Sequence, residues 1–183
     1  LLHLCEMVRL SLVHGLTPAS AHGFAWFGVL IGQHFGHHRE GYRFAALAQQ
    51  LVLRHRQTAF EAKALFALEI ASVWAQPLTA ALATSRAVFA AGVERGDLAV
   101  ACFACHHTVN DMLVRGDPLD EVEREIEAGL GFVRRAGFAD VVDELLTQQR
   151  FVKSLRGQTR EFGLFSGDDF DEVLINYIAD SFK

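Results

Sequence analysis

The sequence predicts an all-α protein, a right-handed α-solenoid of about four TPR-like helix pairs. Apolar residues recur at helical spacing, and no segment sustains the alternation of a strand. Alanine and leucine are abundant, and the 183 residues contain only 3 prolines, a composition that favours helices. A pattern of two helices also repeats about every 39 to 41 residues, within the range of helical-repeat proteins.

The repeat is clearest between residues 75–98 and 116–139, which align without gaps. The matched residues are Pro77 with Pro118, Leu78 with Leu119, Ala87 with Ala128, and Gly96 with Gly137. A more apolar helix precedes each segment. Stacked helix pairs bury such a helix on several sides, so this pairing is typical of a solenoid.

We expect a single helical-repeat domain over residues 1–183, forming a fragment of a larger multidomain protein. Its predicted parts are a truncated preceding repeat (1–19), helix pairs or part-pairs (20–57, 58–97, 98–137 and 138–158), and a loop with a terminal helix (159–183). In chain order, the expected helices are 21–35, 38–55, 59–74, one within 75–98, then 98–114, 118–135, one that begins near 138, and one from 168 or 169 to about 180.

The helix at 118–135 has the strongest amphipathic pattern. Its apolar stripe consists of Leu119, Val122, Ile126, Leu130 and Val133. Asp117 is a candidate N-cap, and Gly137 ends the helix. The helix at 59–74 is instead apolar nearly all round, and we expect Trp26 and Trp74 to be core residues.

Charge and hydropathy exclude several classes of protein. The net charge is −5 and no Lys/Arg-rich run occurs, which argues against a basic nucleic-acid-binding face. The longest apolar run in the uncharged segment 10–38 spans only residues 24–31, far short of the roughly 20 residues of a membrane span. Three cysteines do not suggest a disulfide framework, so we expect reduced thiols and a cytoplasmic protein.

The segment ACFACHH (101–107) contains the C-x-x-C-H pattern of c-type haem attachment, in Cys102, Cys105 and His106. The pattern falls inside a predicted repeat helix, where cysteine acts as a small apolar residue, and we favour that interpretation. A tetrahedral metal site is disfavoured because His106 and His107 project about 100° apart on a helix. His34 and His38 could share a face, but Gly36 predicts a turn between them.

No catalytic motif is present in the sequence: there is no P-loop, no H-R-D, no H-E-x-x-H and no G-x-S-x-G. The acidic group at the last predicted helix lacks the spacing of a calcium loop. We interpret it as helix capping, and its members are Asp168, Asp169, Asp171 and Glu172.

Residues 13–172 resemble the helical region of very large bacterial hybrid signalling proteins. Those proteins join a serine/threonine kinase, an AAA-type ATPase, a long TPR-like array, a GAF domain and a sensor histidine kinase. The residues that carry the resemblance are His14 and Gly15, Phe27 and Gly28, Gly41 and Tyr42, Trp74 with Pro77 and Leu78, Gly96 to Leu98 with Ala101, Leu155 to Gly157 with Thr159, and Phe170 to Glu172. The two cysteines of the haem-like pattern are not part of the family pattern.

The resemblance implies a non-catalytic scaffold that couples the ATPase and histidine-kinase parts of its parent protein. Its partners would be flanking domains of the same polypeptide or a regulatory protein. No cofactor, metal or catalytic residue is implied for this chain, although the parent would be an ATP-dependent kinase.

Two alternatives remain at this stage. One is a small haem or metal protein that uses Cys102, Cys105 and His106. The other is a small-molecule sensor with a pocket among the apolar helices.

Overall fold

The computed structural model describes residues 1–56, 58–160 and 162. Within these residues the chain forms eight α-helices and one short 3-10 turn (Thr58–Phe60), with no strand. The helices are α1 (Leu2–His14), α2 (Pro18–Phe35), α3 (His38–Arg54), α4 (Glu61–Ser72), α5 (Leu78–Arg95), α6 (Leu98–Arg115), α7 (Leu119–Ala136) and α8 (Ala139–Leu155). The all-α prediction is confirmed for this part of the chain. The predicted helix near 168–180 lies outside the described residues.

Each helix packs against the next along the chain, and alternate helices also meet. Contacts join α2 to α4, α4 to α6, and α6 to α8. The even-numbered helices therefore touch one another in succession, while α3, α5 and α7 pack between chain neighbours. Helix α6 touches α4, α5, α7 and α8, so its side chains can connect several helices.

The amphipathic stripe predicted for α7 lies in the core. Val122, Ile126 and Val133 are fully buried, and they pack with residues of α6 and α8. Gly137 has a φ of 72° at the end of α7, a left-handed conformation that glycine adopts without the steric cost of a side chain. Its role in ending the helix is confirmed.

The predicted N-cap of α7 was wrong. The helix begins at Leu119 after Pro118, and no side chain caps it. Asp117 instead accepts a hydrogen bond of 2.7 Å from Nε of Arg115, at the end of α6. The guanidinium pairs with this carboxylate more strongly than a backbone amide would, because both groups are charged.

Trp74 was predicted in the core but is 65% exposed. Helix α4 ends at Ser72, whose carbonyl accepts hydrogen bonds from the amides of Ala75 and Gln76. Trp74 therefore lies in the turn after the helix, where its ring stacks on His38 with centroids 5.4 Å apart. Trp26 packs against two of the core clusters, as expected.

Helices α2 and α3 approach closely through two glycines. A Cβ built on Gly28 would collide with the carbonyl oxygen of Gly41, and a Cβ on Gly41 would collide with that of Gly28. The same atom on Gly28 would lie 3.0 Å from the backbone nitrogen of Ala45. The two backbones are thus in direct contact, and neither position has room for a side chain.

Candidate functional site

Helix α6 carries the whole C-x-x-C-H pattern and is well defined at its start. The carboxylate of Asp97 accepts a hydrogen bond from the backbone nitrogen of Val100, which caps the helix. Residues three or four apart on the helix share a face, so neighbouring residues turn toward different helices. The two thiols and the two histidines of this segment therefore have different surroundings.

The thiols of Cys102 and Cys105 lie in the core. Cys102 is fully buried and Cys105 is 9% exposed, in a cluster with apolar residues of α7 and α8. Sγ of Cys105 donates to the carbonyl oxygen of Ala101 at 3.4 Å. Burial raises the pKa of Cys102, and burial together with the charges of Cys102 and Glu125 raises that of Cys105 to about 12. Both thiols are thus neutral at physiological pH and poor nucleophiles.

His106 faces α8 rather than the thiols' cluster. Its Nε2 lies 3.2 Å from the amide nitrogen of Asn110, and Gln148 of α8 donates both to the carbonyl of His106 (3.1 Å) and to Oδ1 of Asn110 (2.8 Å). Burial, with the charge of His107, lowers the pKa of His106 to about 4. The imidazole is therefore neutral, with Nδ1 3.8 Å from a carboxylate oxygen of Glu144.

This packing does not fit a haem attached at Cys102 and Cys105 with His106 as axial ligand. Both thiols are covered by α7 and α8, while the imidazole is held in a hydrogen-bonded group with Asn110 and Gln148. Among the described residues, no three or more His, Cys, Asp or Glu side chains are arranged to hold a metal ion.

His107 forms a buried ion pair with α4. Its Nδ1 lies 2.9 Å from Oε2 of Glu69, whose side chain is 1% exposed, while the imidazole is 27% exposed. Phe66, one turn before Glu69, meets the imidazole edge to face at 5.0 Å. Burial alone would lower the pKa of His107, but its close ion-pair contact with Glu69, together with the charges of Asp111 and Glu144, raises it overall.

Asp111 extends this group one turn further along α6. It is 4% exposed, and within the described part of the chain its Oδ2 has no hydrogen-bond partner. Burial, and then the charge of Glu69, raises the pKa of Asp111 to about 6, against the opposing effects of His107 and Arg115. Burial also raises the pKa of Glu144 on α8.

We call Glu69, His107, Asp111, His106 and Glu144 the imidazole–carboxylate cluster. It joins α4, α6 and α8 through charged and hydrogen-bonded side chains. The pKa values of two of its carboxyl groups, Asp111 and Glu144, are raised, so these groups bind a proton more readily than a free carboxylate does. We interpret this buried ion pair as fixing which residues face each other rather than as adding net stability. Chemically, the cluster is suited to hold three helices in register and to respond to protonation.

Sequence reasoning missed this cluster, although it considered His106 and His107 as ligands. The available signal was Glu69, the one charged residue of helix α4 that follows its first turn, within the apolar stretch from Ala64 to Ser72. A buried charge needs a partner, which could have been sought on the neighbouring apolar helix.

The other histidine candidates stay apart. His34 is exposed near the end of α2, and His38 begins α3 and stacks on Trp74. The predicted turn therefore separates the two imidazoles. The acidic group at 168–172 lies outside the described residues.

The chain is similar to a curated signalling protein. It is 26% identical over 159 residues to hybrid signal transduction histidine kinase G of Dictyostelium discoideum. The alignment covers 84% of this chain but only 5% of that protein.

No protein-family model matches the chain, and no solved structure matches it. Among the helices that the structure describes, none combines the length and apolar character that a membrane crossing requires.

Proposed function

We propose that this chain is a non-catalytic helical-repeat module that couples parts of a signal-transduction protein. The observation that carries the proposal is the similarity, along 84% of the chain, to a small part of a hybrid histidine kinase. The sequence also lacks the motifs of nucleotide-binding and kinase domains. A segment of this kind acts by connecting catalytic domains rather than by catalysis.

The finer part of the proposal is a right-handed, TPR-like α-solenoid between an ATPase and a histidine kinase. Three successive helix pairs (α2 with α3, α4 with α5, α6 with α7) and the contacts between alternate helices support it. In such an array each pair contacts only its neighbours, so small rotations accumulate along the stack. A change at one end can thereby alter the position of a domain at the other.

The imidazole–carboxylate cluster supports the coupling role. It spans α4, α6 and α8, so a displacement of α4 relative to α8 has to break or rearrange its contacts. We also propose a cytoplasmic location, in keeping with three cysteines that are all free thiols.

The first step of the experiment is to sequence the gene on both sides of this segment. We expect kinase or ATPase sequence on one side and a histidine-kinase core on the other. Purified chain 1–183 is then immobilised, and the flanking segments are passed over it in a surface plasmon resonance measurement. At least one should bind with a micromolar or lower dissociation constant.

The control is the same chain carrying Gly28→Leu, which separates α2 from α3 and should lose binding if the folded array is recognised. The proposal is overturned if the coding sequence on either side of this segment encodes no signalling domain, or if neither flanking segment binds.

A further inference from the structure

A cleft of about 190 Å³ lies between α5, α6 and α7, away from the imidazole–carboxylate cluster. Its walls are Phe89 of α5 and Phe132 of α7, whose rings meet edge to face with centroids 4.9 Å apart. Gly129 also lines the cleft. A Cβ there would lie 3.3 Å from Cβ of Cys105 and 3.4 Å from a methyl carbon of Leu145, so glycine allows α7 to pack closely on α6 and α8 at this point.

The floor of the cleft carries no charge. The hydroxyl of Thr108 is hydrogen-bonded to that of Ser85 at 2.8 Å, and the thiol of Cys105 donates to its own helix. Burial keeps this thiol neutral by raising its pKa to about 12. Aromatic walls over a neutral floor suit a single aromatic ring, and an engineered apolar cavity of about 150 Å³ is known to take benzene.

Two opposite charges flank this apolar space. Arg86 is exposed on α5, and Glu125 is half-buried on α7. The charge of Arg86 also helps to lower the pKa of Asp117, and neither Arg86 nor Glu125 forms a direct ion pair within the described part of the chain. A guanidinium binds a carboxylate through paired hydrogen bonds, and a carboxylate binds an ammonium group. The rim can therefore hold both charged groups of a zwitterion.

We propose that this cleft binds a small aromatic molecule with charged end groups, and that an aromatic amino acid is the best chemical match. The ligand ring packs against the paired rings of Phe89 and Phe132, on the side that faces the cleft. The ligand carboxylate faces Arg86, and its ammonium group faces Glu125. The proposal does not rest on the coupling role, because a coupling module needs no small ligand.

The test uses three probes with chain 1–183 in titration calorimetry and ligand-observed NMR. L-Phenylalanine carries the ring and both charges, N-acetyl-L-phenylalaninamide carries the ring without charges, and L-alanine carries the charges without the ring. We expect L-phenylalanine to bind most tightly, and the uncharged amide to bind about tenfold more weakly or worse. L-Alanine should show no binding. A specific site of this kind should have a dissociation constant of about 1 mM or lower. If L-phenylalanine does not bind at about 10 mM, tenfold above that value, the proposal is overturned.

Variants assign the binding to the cleft. Ala128→Leu adds a side chain at the cleft from an exposed helical position and should abolish binding. Ala139→Leu, an equally exposed alanine on α8 that does not line the cleft, is the matched control and should bind as the unsubstituted chain does. Arg86→Met should weaken the binding of L-phenylalanine and leave the binding of the uncharged amide unchanged. Equal binding by the Ala128→Leu and Ala139→Leu variants, with both folded by circular dichroism, would place the ligand elsewhere and overturn the assignment.

Discussion

Nδ1 of His107 on α6 lies 2.9 Å from Oε2 of Glu69 on α4, and the carboxylate is almost completely buried. Removing one partner leaves the other charge without compensation in a position that water reaches poorly. Replacing both partners with apolar residues removes that penalty. The stabilities of single and double variants should therefore distinguish two roles for this pair. It either specifies which helices pack together, or simply stabilises the folded chain.

We expect His107→Leu to lower the free energy of unfolding by about 3–5 kcal/mol, because Glu69 is left buried and unpaired. The double variant Glu69→Leu/His107→Leu should recover most of this loss. Urea denaturation of the two variants and the unsubstituted chain measures both effects. A double variant as unstable as His107→Leu would show that packing, not the unpaired carboxylate, causes the loss.

His106 predicts a loss of stability in acid. Its folded pKa is lowered to about 4, so between pH 6.5 and 4 the unfolded chain binds a proton that the folded chain excludes. Its contribution to stability is therefore present above pH 6.5 and is lost as the pH falls. Neighbouring His107, Asp111 and Glu144 have raised pKa values and act in the opposite direction, so a comparison of variants is required.

We expect the advantage of the unsubstituted chain over His106→Gln to fall by about 2–3 kcal/mol between pH 7 and pH 4.5. Urea denaturation at several pH values measures this difference. A difference that does not change with pH would mean that the folded imidazole is protonated as readily as the unfolded one.

The three thiols should react at very different rates. Cys5 is exposed, whereas Cys102 and Cys105 are buried with raised pKa values. With Ellman's reagent, we expect one thiol per chain to react rapidly under native conditions and all three in denaturant. Cys5→Ser should abolish the rapid phase. A covalently attached haem would instead leave one reactive thiol in denaturant, and this count therefore also tests the haem alternative.

Two helical glycines should respond oppositely to the same substitution. Gly28→Ala introduces a Cβ against the backbone of α3 and should destabilise the chain by about 1–3 kcal/mol or more. Gly131→Ala on α7 meets only the flexible end of Arg135, at 3.6 Å, and should stabilise the helix by about 0.5–1 kcal/mol. Thermal denaturation of both variants compares them. Equal losses would contradict the close approach of α2 and α3.

The helices could be predicted because their signals are local. Pro118 and Gly137 bracket α7, and the apolar stripe from Val122 to Val133 already specifies its buried face. Trp74 was misplaced because its exposure depends on where α4 ends. The predicted end of the helix, residue 74, and the observed end, Ser72, differ by two residues. The apolar pattern of the helix does not resolve so small a difference.

The cluster could not be assembled from sequence because its partners are distant along the chain. Glu69 meets His107 only through the packing of α4 against α6, and His106 meets Glu144 only through α8. The cleft likewise arises from residues of three helices, α5, α6 and α7, which are distant along the chain. Local spacing predicts the faces of helices, whereas their pairing depends on tertiary packing.

The contact between Gly28 and Gly41 has a genetic consequence. A clash between two side chains can be relieved by a smaller residue on the other side, but here each added methyl group meets the opposing main chain. Since no residue is smaller than glycine, a defect at either position has no compensating substitution at the other. In a saturation library, suppressors of Gly28→Ala should therefore map outside this pair, at residues that let α2 and α3 move apart as whole helices.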